Sequence, residues 1–529
     1  MQIMLRLLLA AASGIVAAVS FEPFRLVYLL PAAVALFTLT CFGASLRRGF
    51  LLGTVFGSAF MLTLLPWLQV IGVDAWIALS LFEGLFYGLL GLGTAAVLRL
   101  PWWPAWAATL WIGVEALRGT IPFGGFPWGR LAFATVDTPV DALFAYTGSA
   151  GATLAVALVG TVLAWAVAAV RRTPVRAAAG LATACLLASA GSVFPLNSPA
   201  PDEAVHTVTV AAVQGDVPGE GMDAFAERRA VLNNHVAATK DLAAGVAAGD
   251  TTPPDFVIWP ENSTDIDPFA DPTVFADIQD AVDAIGVPVL VGAMVEGPEP
   301  SNEPSNEPSN EPSEVFNQGI VWQPVTGPGE RYSKTHPVPF GEYIPFRDQL
   351  AKYFTRLDQI PRDMTAGTEP GLLDMAGTRI GDVICFEVAY DELFRDLVDG
   401  GAEMIVVQTN NATYMGTGQI DQQFAIARLR AIETNRFVVV AATNGVSGMV
   451  TAQGEVVARA PVRTQDVLIQ SAPLPGGVTA GVRFGVWIEV LLTAVAAVTV
   501  LCGLAVNYRR RRRLAALRRH PEDLNEGDS

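Results

Sequence analysis

Apolar residues run almost without a break through residues 1–200 and again through 484–506, whereas residues 201–475 carry the mixed pattern of a globular domain. A helix needs roughly 20 apolar residues to cross about 30 Å of hydrocarbon. On that measure the first block predicts seven spans, at about 5–20, 26–43, 50–68, 75–98, 104–118, 149–170 and 177–194. Residues 484–506 predict an eighth. A signal peptide is the competing reading of 4–20, because Arg6 precedes an apolar core. The second apolar span that follows at once favours a hairpin of real spans. The expected organisation is a membrane domain (1–200), an extracytoplasmic catalytic domain (204–475), an eighth transmembrane helix (484–506) and a basic cytoplasmic tail (507–529).

The globular stretch has a different period. Strand-like runs lie at 208–214, 255–261, 287–293, 381–387, 403–409 and 437–443, and several are apolar throughout, as in strands buried on both faces. Helical patterns lie between them, near 223–247, 272–285, 391–399 and 419–435. This alternation predicts an α/β layered domain. Ser301–Pro312 is Ser-Asn-Glu-Pro three times over; with nothing to bury, it reads as a solvated loop.

Charge sets the orientation. Of the 18 basic residues outside 200–475, 14 fall on one side of the predicted spans: Arg6, Arg47, Arg48, Arg99, Arg171, Arg172, Arg176, Arg509–Arg513, Arg518 and Arg519. By the positive-inside rule both termini are cytoplasmic and the globular domain is extracytoplasmic. Residues 200–475 hold 16 basic and 40 acidic side chains, a net of −24, and a domain that acidic repels nucleic acid. Charged residues make up only 16% of the 529, against about 25% in an average soluble chain, so a wholly soluble enzyme is excluded. There is no zinc-finger spacing, P-loop or HExxH, and neither metal nor cofactor is expected.

Within the spans, Glu115 at i−3 from Arg118 reads as paired with it, while Glu83 and Glu489 have no evident role. Residues 119–148 form a loop rich in Gly, Pro and aromatics. Phe123, Phe126 and Trp128 suit an interfacial anchor, or else a lipid-substrate entrance facing the globular domain.

Three chain segments present reactive groups just after apolar runs. Glu261 follows FVIW-Pro260, Cys385 follows GDVI and is the lone thiol of the globular domain, and Lys334 is one of three lysines in the chain. Taken singly, a Cys after a strand is more often core than nucleophile. Together the three groups suit acyl transfer through a thioester. A thiolate nucleophile needs a base, which Glu261 can be. The oxyanion needs donors, which Lys334 and a backbone N–H near Phe386 can be. A cationic Lys334 also lowers the thiol pKa.

Trp259-Pro260-Glu261, Lys334 and Cys385-Phe386-Glu387 resemble the Glu-Lys-Cys triad of the nitrilase superfamily. With the eight spans, the chain resembles the bacterial apolipoprotein N-acyltransferases over nearly its whole length. Supporting motifs are Gly125-Phe126-Pro127-Trp128, Val213-Gln214-Gly215, Lys334-x-His336-x-Val338-Pro339-Phe340-Gly341-Glu342-Tyr343 and Ala427-Arg428-Leu429-Arg430-Ala431-Ile432-Glu433. The resemblance implies an α-β-β-α sandwich, with Glu261 as base, Lys334 as oxyanion stabiliser and Cys385 as nucleophile. It makes Glu342 a further essential carboxylate and Glu387 the one that follows the nucleophile, with Phe386 and Trp128 as supporting positions. The implied reaction is ping-pong: an acyl chain passes from a membrane phospholipid to Cys385, then to the α-amine of an S-diacylglyceryl cysteine on a lipoprotein. Phe386 stands where many relatives have Tyr, and Thr409-Asn410-Asn411-Ala412-Thr413-Tyr414 departs from the usual Ser-Asn-Asp-Ala-Trp-Phe. The competing readings are a membrane-tethered amidase, a lipid-binding protein with a vestigial triad, and a transporter.

Overall fold

A computed structural model describes residues 2–170, 173–189, 192, 206–217, 228–297, 314–347, 362–474 and 476–519. The Ser-Asn-Glu-Pro repeat, Arg171, Arg172, the end of the predicted seventh span, residues 223–227 of the first predicted globular helix and the last ten residues of the tail lie outside them.

The apolar pattern folds as helices wherever a span is expected: α1 (Gln2–Ala18), α2 (Leu30–Thr40), α3 (Leu46–Leu64), α4 (Val73–Val97), α5 (Trp103–Arg118), α6 (Phe144–Ala169) and α7 (Pro174–Ala188). Among the described residues, Val73–Val97, Asp141–Ala169 and Ala480–Arg510 are long and apolar enough to cross a membrane; Ile3–Ala18, Val27–Thr40 and Pro174–Ala188 are apolar but shorter. The length criterion thus supports fewer crossings than the eight expected. Small residues let these helices interlock. A Cβ on Gly53 of α3 would lie 2.0 Å from the Tyr87 carbonyl oxygen of α4, and one on Gly91 of α4 would lie 2.1 Å from that of Gly49.

The globular part contains two six-stranded sheets among the described residues. In the first, β1 (His206–Gln214), β2 (Phe256–Ile258) and β3 (Val289–Glu296) run parallel, flanked by β4 (Val315–Gln323) and β5 (Gly327–Ser333) on one side. In the second, β7 (Thr378–Ile384), β8 (Met404–Thr409) and β9 (Phe437–Ala442) run parallel, with β6 (Leu372–Met375) antiparallel beside β7. β10 (Gly448–Val450) and β11 (Val456–Arg459) finish the second sheet, and β12 (Asp466–Leu474) returns to pair antiparallel with β1. All six expected runs contain strands. The run at 255–261 keeps only Phe256–Ile258, since Pro260 has no N–H to extend a ladder. The six strands not foreseen are short, half-polar or on sheet edges, as in Gly327–Ser333 (GPGERYS), where the apolar signal is weak.

Alternation along the strands builds the layers. Val210, Ala212, Ile258, Met404, Val406 and Val439 face inward and form the core between the sheets. Ala211, Val213 and Val257 face outward against α8 (Arg228–Ala248) and α9 (Pro272–Ile285). On the other side Ile405, Val407 and Val438 face α10 (Asp391–Asp399) and α11 (Gln419–Thr434). The order is helix, sheet, sheet, helix, the α-β-β-α sandwich expected. This last helical layer is covered on much of its outer face: it shares one buried cluster with Phe60, Leu64, Trp111, Leu131 and Phe133 of the helical body.

The final helix, α12 (Ala480–Arg519), leaves the sandwich and joins that body. Glu489 on α12 pairs with Arg130 at 3.1 Å; Arg130 also holds Asp391 of α10 at 2.7 Å, and Arg430 of α11 holds the same carboxylate at 2.7 Å. Glu489, without a role in the sequence reading, pins α12 to both parts.

Candidate active site

The ends of β2, β5 and β7 bring together Glu261, Lys334 and Cys385 from distant parts of the chain. Glu261 is 3% exposed and every contact it makes fixes its orientation. Its Oε1 accepts from Asn317 Nδ2 at 2.7 Å and lies 3.4 Å from Lys334 Nζ, while its Oε2 accepts from the Asn410 N–H at 2.7 Å. Lys334 follows β5 directly, 1% exposed, and its Nζ donates to Glu342 Oε1 at 2.7 Å. Glu342 is held in turn by the Val338 N–H at 2.8 Å. Burial disfavours the ammonium, but Glu342 first and Glu261 second outweigh it and hold Lys334 well above the ordinary lysine value. It is a fixed cation.

Cys385 opens the turn after β7 at φ +59°, the left-handed region that costs a β-carbon residue energy. That turn lifts the thiol off the sheet, where it is partly accessible. The expected lowering by Lys334 is present but loses. Burial first and Glu261 second push the thiol up to about 12. The thiol is therefore the favoured resting form of Cys385.

Glu387 serves as a clamp between two segments of the site. It is fully buried and accepts from the N–H groups of Ile384 (2.7 Å), Thr335 (2.8 Å) and His336 (3.0 Å), and from the hydroxyls of Thr335 (3.0 Å) and Tyr332 (2.9 Å). It ties the Lys334 segment to the Cys385 turn. His336 belongs to the same clamp, its ring 4.2 Å from that of Tyr390.

The loop at 119–130 reaches this turn from the helical body. Phe386 stacks on Trp128 (ring centroids 5.3 Å apart, planes at 9°) and on Phe126 (5.4 Å), and Tyr390 donates to the Gly125 carbonyl at 3.2 Å. Trp128 is 1% exposed and donates to Gln422 Oε1 at 2.8 Å, so it is no interfacial anchor. Phe123, at 43% exposure, remains at the surface. The cause is Arg118, a buried guanidinium that draws the loop inward by donating to the carbonyls of Phe126 and Trp128 at 2.7 Å each. The carboxylate within ion-pair distance of it is Glu83 at 3.5 Å, with Glu115 acting on it through charge from farther off. Glu115 instead accepts from the Leu131 N–H at 2.7 Å and the Thr153 hydroxyl at 2.8 Å.

Sequence reading missed Asn317, Gln408 and Asn410. Gln408 donates to the Trp259 carbonyl at 2.6 Å and so braces the strand end that carries Glu261. The signal for Gln408 was an amide side chain within an otherwise apolar strand run, whereas Asn317 lies in a half-polar strand and Asn410 acts through its backbone N–H. It missed Asp382 as well, a fully buried carboxyl on the inter-sheet side of β7. A Cβ at Gly319 of β4 would lie 2.2 Å from Asp382 Oδ2 and 2.7 Å from Gln408 Oε1, so only glycine leaves them room. Burial, then the charges of Glu387 and Glu261, hold Asp382 well above the usual carboxylate range. A group raised in the folded state stabilises at low pH, and that contribution is lost as pH climbs above its unfolded value of about 3.9. Asp382→Asn cannot ionise. Its melting temperature relative to the parent is therefore expected to rise as pH increases above about 4, read by thermal denaturation; a pH-independent difference would show that Asp382 does not titrate on unfolding.

Comparison with known proteins adds the family. Residues 13–162 match the apolipoprotein N-acyltransferase N-terminal domain, and residues 209–476 match the carbon-nitrogen hydrolase domain. The apolipoprotein N-acyltransferase of Mycolicibacterium smegmatis is 37% identical, covering 87% of this chain and 78% of its own. That of Methylococcus capsulatus is 27% identical, covering 96% and 97%. A solved structure of a mutant nitrilase-superfamily amidase from Nesterenkonia AN1 aligns at 13% identity over 54% of this chain and 96% of its own, with a TM-score of 0.37. With both domains matched in order and a relative of this identity, the chain belongs to the apolipoprotein N-acyltransferases, enzymes that transfer an acyl group to lipoproteins.

Proposed function

We propose that the chain moves an acyl chain from a membrane phospholipid to the α-amine of an S-diacylglyceryl cysteine by a ping-pong route through Cys385. The observation that carries this reading is the continuity of the nucleophile turn with the apolar helical body: Phe386, next to Cys385, stacks on Trp128 inside that body. A water-soluble amide needs no such connection, whereas a lipid ester must reach the thiol from a bilayer.

In the first half-reaction Glu261 takes the thiol proton as Cys385 Sγ attacks the ester carbonyl. The oxyanion forms against Lys334, joined by a backbone N–H near Phe386. Collapse breaks the ester C–O bond, and Glu261 returns the proton to the lysophospholipid alkoxide. In the second half-reaction the lipoprotein amine attacks the thioester, Glu261 accepts its proton, and the thiolate leaves and is reprotonated. Glu342 keeps Lys334 cationic throughout, and Glu387 positions it.

On the same reading residues 1–200 form a membrane domain of seven spans, 204–475 the extracytoplasmic catalytic domain, 484–506 an eighth span and 507–529 a cytoplasmic tail. The arginines clustered on one side of the predicted spans support that sidedness.

The test is intact-mass analysis after incubation with phospholipid micelles, for the parent and Cys385→Ala. A hydroxylamine-labile gain of one fatty acyl chain, absent from the variant and discharged by a diacylglyceryl lipopeptide, is the expected result. No adduct on a folded parent would refute the thioester. An adduct that water discharges as fast as lipopeptide would make the protein a hydrolase.

A further inference from the structure

The nucleophile turn is gripped at both ends by one short piece of the helical body. At its start, Phe386 stacks on Trp128. At its end, Asp391 opens α10 and is bonded at 2.7 Å by Arg130, two residues beyond Trp128. The two grips differ in kind. Ring stacks hold over a centroid range of about 4.5–7 Å, so they tolerate sliding. The carboxylate is fixed on both oxygens: Oδ2 accepts from Arg130 Nη1 and from the Ser149 hydroxyl of α6, and Oδ1 accepts from Arg430 Nη2 of α11 at 2.7 Å. Charge-assisted bonds of this kind are short and geometrically specific. Arg130 is 6% exposed and Arg430 is fully buried, so solvent screens neither. Burial pushes the Asp391 carboxyl up, but Arg130 and then Arg430 outweigh it and hold it below the usual carboxylate range.

Each arginine also has a carboxylate within its own body. Arg130 holds Glu489 of α12 at 3.1 Å, and Arg430 holds Glu433 one turn along α11. Asp391 is the carboxylate they share. Removing it leaves both arginines paired within their own bodies and dissolves the joint between them. A buried ion triad gains little net stability over an apolar replacement, because desolvation cancels most of its attraction. Its contribution here is a single geometry across the joint.

We propose that Asp391 is a positioning residue for the acylation of Cys385: by locking Arg130 to Arg430 it fixes where the nucleophile turn stands over the helical body, from which the phospholipid ester is delivered. It touches no reacting atom. The inference rests on phospholipid being the acyl donor, because an ester that diffuses to the thiol from water has no need of the joint. A displacement of about 1 Å between reacting groups can cost about 100-fold in rate.

The experiment compares two donors on the full chain in detergent, with Cys41, Cys185 and Cys502 replaced by Ala. Phospholipid micelles deliver a long acyl chain; p-nitrophenyl acetate, a water-soluble ester, delivers acetyl to the sulfur and releases p-nitrophenol. Single-turnover intact mass reads the hydroxylamine-labile gain in each case. Asp391→Ala is expected to slow acylation by phospholipid about 10–100-fold and acetylation by less than about threefold. Arg130→Met is expected to show the same selectivity, and adding Asp391→Ala to it is expected to slow phospholipid acylation no further, because the two side chains act as one joint. Asp391→Asn, which keeps an acceptor for one arginine, is expected to recover part of the phospholipid rate. Equal slowing with both donors overturns the proposal, because that outcome makes Asp391 a support of the site as a whole. An unchanged phospholipid rate overturns it, as do losses that add in the double variant. A parent that takes acetyl but no acyl chain from phospholipid refutes the donor reading itself, and this inference falls with it.

Discussion

Lys334→Met is expected to slow acylation of Cys385 by about 10²–10³-fold, the usual cost of removing one donor from an oxyanion site. Three losses coincide. The developing oxyanion loses its cation. Cys385 loses the one nearby positive charge that opposes its upward shift. Glu261 and Glu342, which share Lys334 at 3.4 and 2.7 Å, are left as two carboxylates with no cation between them. Single-turnover intact-mass kinetics with phospholipid micelles measures the effect, with thermal denaturation as a check on folding. Lys334→Arg is expected to recover little, since a planar guanidinium does not fit a site shaped around one ammonium. A Lys334→Met rate within tenfold of the parent would show that the oxyanion is stabilised elsewhere.

Glu387→Ala is expected to be the most damaging substitution for the fold around the site. It removes the shared acceptor of five donors: three backbone N–H groups and the hydroxyls of Thr335 and Tyr332. Each buried donor left unpaired costs about 1–3 kcal/mol, so a loss of more than about 3 kcal/mol is expected even after partial relaxation. Because the clamp joins the Lys334 segment to the Cys385 turn, function is expected to suffer in the fraction that still folds. Glu387→Gln is the informative partner. It keeps one acceptor but turns an amino group toward donors, so it is expected to fold better than Glu387→Ala and still acylate slowly. Chemical denaturation gives the first quantity and single-turnover acylation the second. Wild-type stability in Glu387→Ala would mean the clamp contributes nothing net.

Much of this was readable along the chain. The helices arise where apolar residues persist for 11 or more positions, and the parallel strands where short apolar runs end in Pro, Gly or charge. Both signals are local, a matter of side-chain period and length. The groups at the ends of β2, β5 and β7 were visible for the same reason, since a charged or reactive residue straight after a buried strand is an anomaly of local pattern. Edge strands such as β5 escaped because one side of an edge faces solvent, and its composition then reads as loop.

Local pattern by itself carried no partnership across the fold. Glu261 and Lys334 stand 73 residues apart, and Trp128 and Gln422 294 apart. The sign of the shift on Cys385 could not be read from the presence of a lysine, because it depends on how burial and Glu261 weigh against Lys334 at their actual positions. Trp128 reads as an interfacial residue by type and becomes a buried one through Arg118, whose side chain folds the loop inward. Local pattern determined which segments are helix or strand and which residue types are reactive, because period and polarity act between neighbours. Only the stacked sheets and the shared core decided which of those groups meet, because electrostatics and hydrogen bonding act through distances that the chain's order does not contain.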